Sequence, residues 1–224
     1  MTSTVLVGGG AGALGAAVTE AFLTAGWRVV VPVRHEGDAL TPHERLRTVP
    51  ADLFEPASAA EVAAAAADDP DAPLRAVVNL VGGFAAGGRV HETDVADFEQ
   101  QLRLNLRPTY LTTHAVLPHM VAAGGGAIVC ASSRAALKPF PGAAGYLTAK
   151  AAVLAFVDCL AVEYAKDDVR ANAILPGVID TPANRAAMPD ADRTNWVPPT
   201  KIAEVIRFLC EDASTIISGA RVPV

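Results

Sequence analysis

Seven short β-rich runs alternate with helical patterns along this chain, and the alternation restricts its fold more than any other feature. The runs fall at residues 4–7, 28–33, 47–50, 74–81, 127–131, 169–174 and 220–224. Helical patterns occupy 12–25, 56–67, 94–123, 145–167 and 201–211, the third of them containing Pro108. Strands separated by helices imply a parallel sheet covered on both faces. Crossovers should be right-handed, and ligands should gather beyond the carboxyl ends of the strands. No internal repeat or low-complexity linker interrupts the pattern. Residues 1–224 are therefore expected to form one α/β domain around a doubly wound parallel sheet.

Composition supports this reading and removes several others. A chain of 224 residues, 51% of them apolar, can bury a large core without disulfides or metals. A net charge of −6 with no basic cluster excludes a nucleic-acid-binding surface of the usual kind. The first residues run directly into an apolar strand without a charged leader, and no apolar run reaches the roughly 18 residues of a membrane span. A cytoplasmic protein is expected. Cys130, Cys159 and Cys210 are odd in number and set in apolar segments, which reads as three core thiols. The five histidines, His35, His43, His91, His114 and His119, lack close metal-ligand spacing, so no metal site is expected.

The first strand opens into VLVGGGAGALGAAV. Gly9, Ala13 and Gly15 occupy the three spaced positions of a G-x-x-x-G-x-G pattern, with alanine in the middle one. Glycines there allow a tight turn and close approach of a pyrophosphate, whose charge rests on the helix N-terminus. Dinucleotide binding is expected, with Gly9, Gly12, Ala13, Leu14 and Gly15 in contact. An acidic residue about twenty positions after such a loop would hydrogen-bond the ribose hydroxyls of NAD. That position holds Val33, followed by Arg34. A guanidinium can pair with a 2′-phosphate through its fork of donors, so NADP(H) is favoured over NAD(H). The alternative is a solvated arginine neutralised by Glu36 and Asp38.

Tyr146 and Lys150 lie four residues apart in GAAGYLTAKAAVLAF, and Ser133 lies thirteen residues before the tyrosine. Four residues is about one helical turn, so phenol and ammonium share a face. A neighbouring positive charge favours the phenolate, so a lowered tyrosine pKa is expected. Ser132 should point away from Ser133, as neighbours on a strand do, and play a structural part.

The ordered set of 9–15, Asp52-Leu53, Asn79-x-x-Gly82, Asn105, Ser133, Tyr146-x-x-x-Lys150 and Pro176-Gly177 resembles the short-chain dehydrogenase/reductase family over nearly the whole chain. The resemblance implies a Rossmann-type fold. It implies that Asp52 and Leu53 border the adenine, that Asn79 and Gly82 line the cofactor crevice, and that Pro176, Val178 and Thr181 flank the nicotinamide. Carbonyl chemistry would fall to Asn105, Ser133, Tyr146 and Lys150: the tyrosine as proton donor, the serine on the substrate oxygen, the lysine on tyrosine and ribose. Asn105 would position a water that relays protons to Lys150, or it is a polar residue bonding nearby backbone within a helix. Phe84, Arg134, Phe140, Met188 and Trp196 are candidate pocket-lining residues.

The segment 180–196 is similar to the corresponding stretch of dihydropteridine reductases. Ser133 and Val33 depart from that group, which lacks the serine and carries an acid at the end of the second strand. The leading expectation is therefore hydride transfer to the carbonyl of a small molecule, of the ketone, oxoacyl or secondary-alcohol type. Reduction of a quinonoid pterin and a non-catalytic cofactor sensor are the alternatives. The long helices 94–123 and 145–167, with small residues at Ala151, Ala152, Ala155 and Ala161, resemble the subunit interface of the family, so a homodimer or homotetramer is expected.

Overall fold

The computed structural model describes residues 2–34 and 40–224; the reading of Glu36 and Asp38 as neutralising charges, and that of His35, lie outside the described residues. Seven strands form one sheet, all parallel, in the order β3-β2-β1-β4-β5-β6-β7. They are β1 (Thr4–Gly8), β2 (Arg28–Val33), β3 (Leu46–Pro50), β4 (Leu74–Asn79), β5 (Gly126–Ala131), β6 (Val169–Leu175) and β7 (Arg221–Pro223). The chain order reverses between β1 and β4, which places a crevice beyond their carboxyl ends.

Alternate residues of the central strands feed two cores. Val5 and Val7 of β1 pack with Val18 and Phe22 of α1 (Ala13–Thr24) and with Ile202 and Ile206 of a C-terminal helix, Pro199–Cys210. Leu6 faces the other way, toward Val62 of α2 (Pro56–Ala67) and Val153 and Val157 of the helix Ala144–Glu163. Strands buried on both faces therefore read as continuous apolar runs instead of alternating ones.

The single helix expected over 94–123 is two helices, α3 (Val95–Asn105) and α4 (Arg107–Ala122), meeting at Leu106. Pro108 is the cause. It has no N–H to donate to the carbonyl four residues back, and its ring crowds that carbonyl. The break leaves Asn105 at the last position of α3, where its side chain reaches neighbouring loops. Next come α5 (Ala144–Glu163), a short α6 (Pro182–Ala187) that the sequence pattern did not signal, and α7 (Pro199–Cys210).

By length and mean hydropathy (1.6) α5 is apolar enough to cross a membrane, contrary to the expectation that no run would qualify. In the fold its residues Ala149, Val153, Val157 and Leu160 are buried. Cys130 and Cys210 are buried as expected, whereas Cys159 lies exposed on α5, so only two of the three thiols belong to the core.

Candidate active site

The glycine loop turns between β1 and α1 under tight steric limits. Gly9 has φ +83°, and a Cβ there would lie 3.2 Å from the Val81 nitrogen. A Cβ on Gly15 would collide with the carbonyl oxygen of Gly9, so loop and helix meet backbone to backbone. Gly12 is the N-cap of α1, with no side chain capping the helix and no acidic residue in its first turn. The first-turn N–H groups and the positive end of the helix dipole are thus left to an external anion.

Beside this loop lies a crevice of about 300 Å³, lined by Gly9, Gly12, Arg34, Leu53, Phe54 and Gly82 among others. The Arg34 guanidinium stands 5.1 Å from the centre of the Phe54 ring, at the mouth of the crevice. Phe54 was not singled out in the sequence, though it directly follows Asp52-Leu53. The Asp52 carboxylate accepts a hydrogen bond from the Phe54 N–H (3.0 Å), which shapes the turn that brings Leu53 to the crevice. Asn79 is turned inward: its amide donates to Thr113 Oγ1 (3.0 Å) and toward Cys130 Sγ (3.7 Å), joining β4, α4 and β5. A glycine cradle, an uncapped helix end and a guanidinium along one crevice fit a dinucleotide carrying phosphates.

The candidate catalytic residues converge beyond β4 and β5. Ser132 Oγ donates to the carbonyl oxygen of Lys150 (2.8 Å), tying α5 to the end of β5, which is the structural part expected of it. Ser133 follows, with its oxygen accepting the Ala135 N–H (3.1 Å). Tyr146 and Lys150 rise from the first turns of α5, with Lys150 Nζ 5.9 Å from the Tyr146 ring centre. Lys150 is 6% exposed and donates to the Ala131 carbonyl oxygen (3.0 Å). Asn105 is fully buried and holds Gly83 from both sides: Oδ1 accepts the Gly83 N–H (3.1 Å), and Nδ2 donates to the Gly83 carbonyl (3.0 Å). A Cβ placed on Gly82 would lie 2.6 Å from Asn105 Oδ1 and 3.1 Å from Lys150 Nζ, so a side chain there would push one or both groups from these positions.

The lowered tyrosine pKa expected from the helical pair is not what the fold produces. Burial pushes the Tyr146 phenol above its ordinary value, and the Ser133 hydroxyl pulls it only part of the way back. Burial also depresses Lys150 from 10.5 to about 8, against a smaller opposing effect of the buried Cys130 thiol. Sequence spacing places the two groups on one face but cannot report that both are desolvated, and desolvation penalises each charged form.

Pro176 is buried, and its carbonyl accepts the Arg134 N–H (3.1 Å). Thr181, 8% exposed, caps α6 by accepting the Asn184 N–H (3.2 Å), while Val178 is exposed on the rim. Of the expected lining residues, Phe84 stands against Tyr146 and Phe140 against Phe84, and the Arg134 side chain lies against Gly177. Met188 and Trp196 sit on the segment after β6, where Arg193 stacks over Trp196 at 5.6 Å.

Residues 3–192 match the short chain dehydrogenase family. Over 98% of its length the chain is 30% identical to 2-(R)-hydroxypropyl-CoM dehydrogenase of Xanthobacter autotrophicus, covering 96% of that protein. Over 92% of its length it is 39% identical to a probable galactose dehydrogenase of Rhizobium meliloti, covering 80% of it. Among solved structures, a short chain dehydrogenase/reductase family protein superposes with a TM-score of 0.88 at 31% identity, covering 99% of this chain and 95% of that one. ElxO with NADP bound superposes with a TM-score of 0.91 at 24% identity, covering 100% and 97%, a likeness of fold. With the glycine crevice and the Ser133–Tyr146–Lys150 cluster in place, the chain belongs to the short-chain dehydrogenase/reductase family and is an NAD(P)-dependent oxidoreductase acting on CH–OH/C=O groups.

Proposed function

We propose that the protein reduces the carbonyl of a small molecule with NADPH, and that Tyr146 supplies the proton. The observation that carries this reading is the convergence of Ser133, Tyr146 and Lys150 beside a crevice whose rim holds Arg34 and whose second strand ends in Val33. A nicotinamide held in this crevice would supply the hydride that the carbonyl carbon receives. Tyr146 Oη gives its proton to the oxygen as negative charge develops there, and Ser133 Oγ donates a hydrogen bond to the same oxygen. Lys150 stabilises the phenolate that remains. A phenol held above its ordinary pKa stays protonated at neutral pH, ready to donate.

Asp52 and Leu53 border the adenine in this account. Gly9, Gly12, Ala13, Leu14 and Gly15 hold the pyrophosphate, Asn79 and Gly82 shape the crevice floor, and Pro176, Val178 and Thr181 flank the nicotinamide. Asn105 fixes the Gly82-Gly83 backbone against Lys150. Arg34 selects the 2′-phosphate, since no carboxylate stands at position 33 to repel it.

Thermal-shift titration with NADPH and NADH tests the cofactor assignment. NADPH is expected to stabilise the protein at lower concentration. Arg34→Ala should weaken NADPH by about tenfold, the order of one charge-assisted contact, and change NADH little. Equal or higher kcat/KM with NADH would overturn the assignment. The pterin reading rests on the resemblance of residues 180–196, and Ser133 beside Tyr146 favours a carbonyl instead.

A further inference from the structure

Two exposed phenylalanines form a chain of rings that starts at the candidate proton donor, Phe84 against Tyr146 and Phe140 against Phe84. The Phe84 ring meets the Tyr146 ring edge-on, with centres 5.1 Å apart and planes at 87°. Phe140 lies 6.3 Å from Phe84 at 47°. Despite these contacts Phe84 is 63% exposed and Phe140 43%, so both rings keep a substantial face toward solvent. Exposed apolar surface gathered at one place marks a binding surface, and here that place is the reacting group itself. The occupant is therefore the molecule on which Tyr146 acts, not a protein partner.

The two rings are held by backbone clamps. Gly83, just before Phe84, is gripped at both N–H and C=O by the buried Asn105 amide. The loop beyond Phe84 is tied to the loop bearing Phe140 by a hydrogen bond from the Gly87 N–H to the Gly142 carbonyl (2.7 Å). Gly142 has φ +84°, and a Cβ there would lie 2.5 Å from the Gly87 oxygen. Glycine at 142 permits that close approach, which keeps Phe84 and Phe140 neighbours. A wall fixed on two loops before substrate arrives loses little freedom on binding.

We infer that Phe84 and Phe140 form a subsite for a flat apolar ring attached to the reacting carbonyl, so that the preferred substrates are aryl ketones. Aromatic rings gain most against other rings in edge-on or offset arrangements, which the tilted Phe84–Phe140 pair offers beside the phenol. The inference rests on the carbonyl-reductase reading above.

Steady-state NADPH oxidation by the full chain with ethyl benzoylacetate and ethyl acetoacetate tests it, because the two differ only in phenyl or methyl on the ketone carbon. The phenyl ester should have the higher kcat/KM by about tenfold, the order of a desolvated aromatic contact, with the difference mostly in KM. Phe84→Ala should bring the ratio near one, Phe84→Tyr should restore it, and Phe140→Ala should lower it independently. A wild-type ratio at or below one, or a ratio unmoved by both alanine variants, overturns the subsite. Turnover of the methyl ester alone overturns the subsite and leaves the reading of Tyr146 standing. Turnover of neither ester, with NADPH still binding, overturns both the subsite and its parent reading for ketones of this kind.

Discussion

At Lys150 burial and function pull in opposite directions. In the proposed mechanism the ammonium acts beside Tyr146, yet the fold removes it from water, and among the described residues the Ala131 carbonyl accepts its hydrogen bond. Its pKa falls from 10.5 to about 8. The sign of the resulting pH dependence is fixed. Between these two values the unfolded chain binds more protons than the folded one, so Lys150 adds stability as pH rises through that window. Below about pH 8 the folded state carries a buried charge and bears the full cost. At about 1.4 kcal/mol per pKa unit, wild type should gain about 2 kcal/mol relative to Lys150→Met between about pH 7 and pH 10 in denaturant unfolding. A difference that stays flat, or moves against wild type, would show that the lysine is not held in this state. The sequence could place Lys150 and Tyr146 on one face, because helical spacing is local. It could not show the Ala131 carbonyl and the Cys130 thiol, both delivered by β5, or the loss of water that packing against that strand brings.

At the scale of elements, the same contrast separates what spacing reveals from what packing decides. Strand and helix positions were legible because buried parallel strands are continuous apolar runs and glycines mark their ends. The break at Leu106 was harder to read, since apolar periodicity runs on through α3 and α4 while Pro108 removes a single hydrogen bond. That break has a consequence for the site, as it brings Asn105 to Gly83. The α6 turn escaped because its six residues are too few for a periodic pattern. On α5, Ala151, Ala155, Cys159 and Val162 follow one another at helical spacing and are exposed, while Ala152 and Ala161 are half-buried. Tyr110 of α4 stands nearby, stacked on His114 at 5.8 Å and 5.7 Å from Phe156. A face of small and apolar residues next to exposed aromatics suits a second copy of the chain. Light scattering at micromolar concentration should give a mass of two or four times the 23.1 kDa chain. Ala155→Arg should reduce that mass. A wild-type monomer would remove α4 and α5 from the assembly.

For the whole molecule, one topological fact organises everything else. The reversal of strand order between β1 and β4 opens a crevice, and β4, β5 and β6 deliver Gly82, Ser133 and Pro176 to its edge from widely separated parts of the chain. Motif order in the sequence anticipated this gathering, since each motif follows a strand of the same parallel sheet. The wall of Phe84 and Phe140 was visible only as two residues after strands, because the Gly87–Gly142 bond that joins their loops leaves no mark in spacing. We propose that this gathering makes Tyr146 a proton donor, and the Tyr146→Phe variant is the decisive test. NADPH binding by thermal shift should be retained, while kcat for ketone reduction should fall by at least about 10²-fold, the lower end of acid–base contributions. Turnover within a few-fold of wild type, with cofactor bound equally well, would remove Tyr146 from the proton transfer.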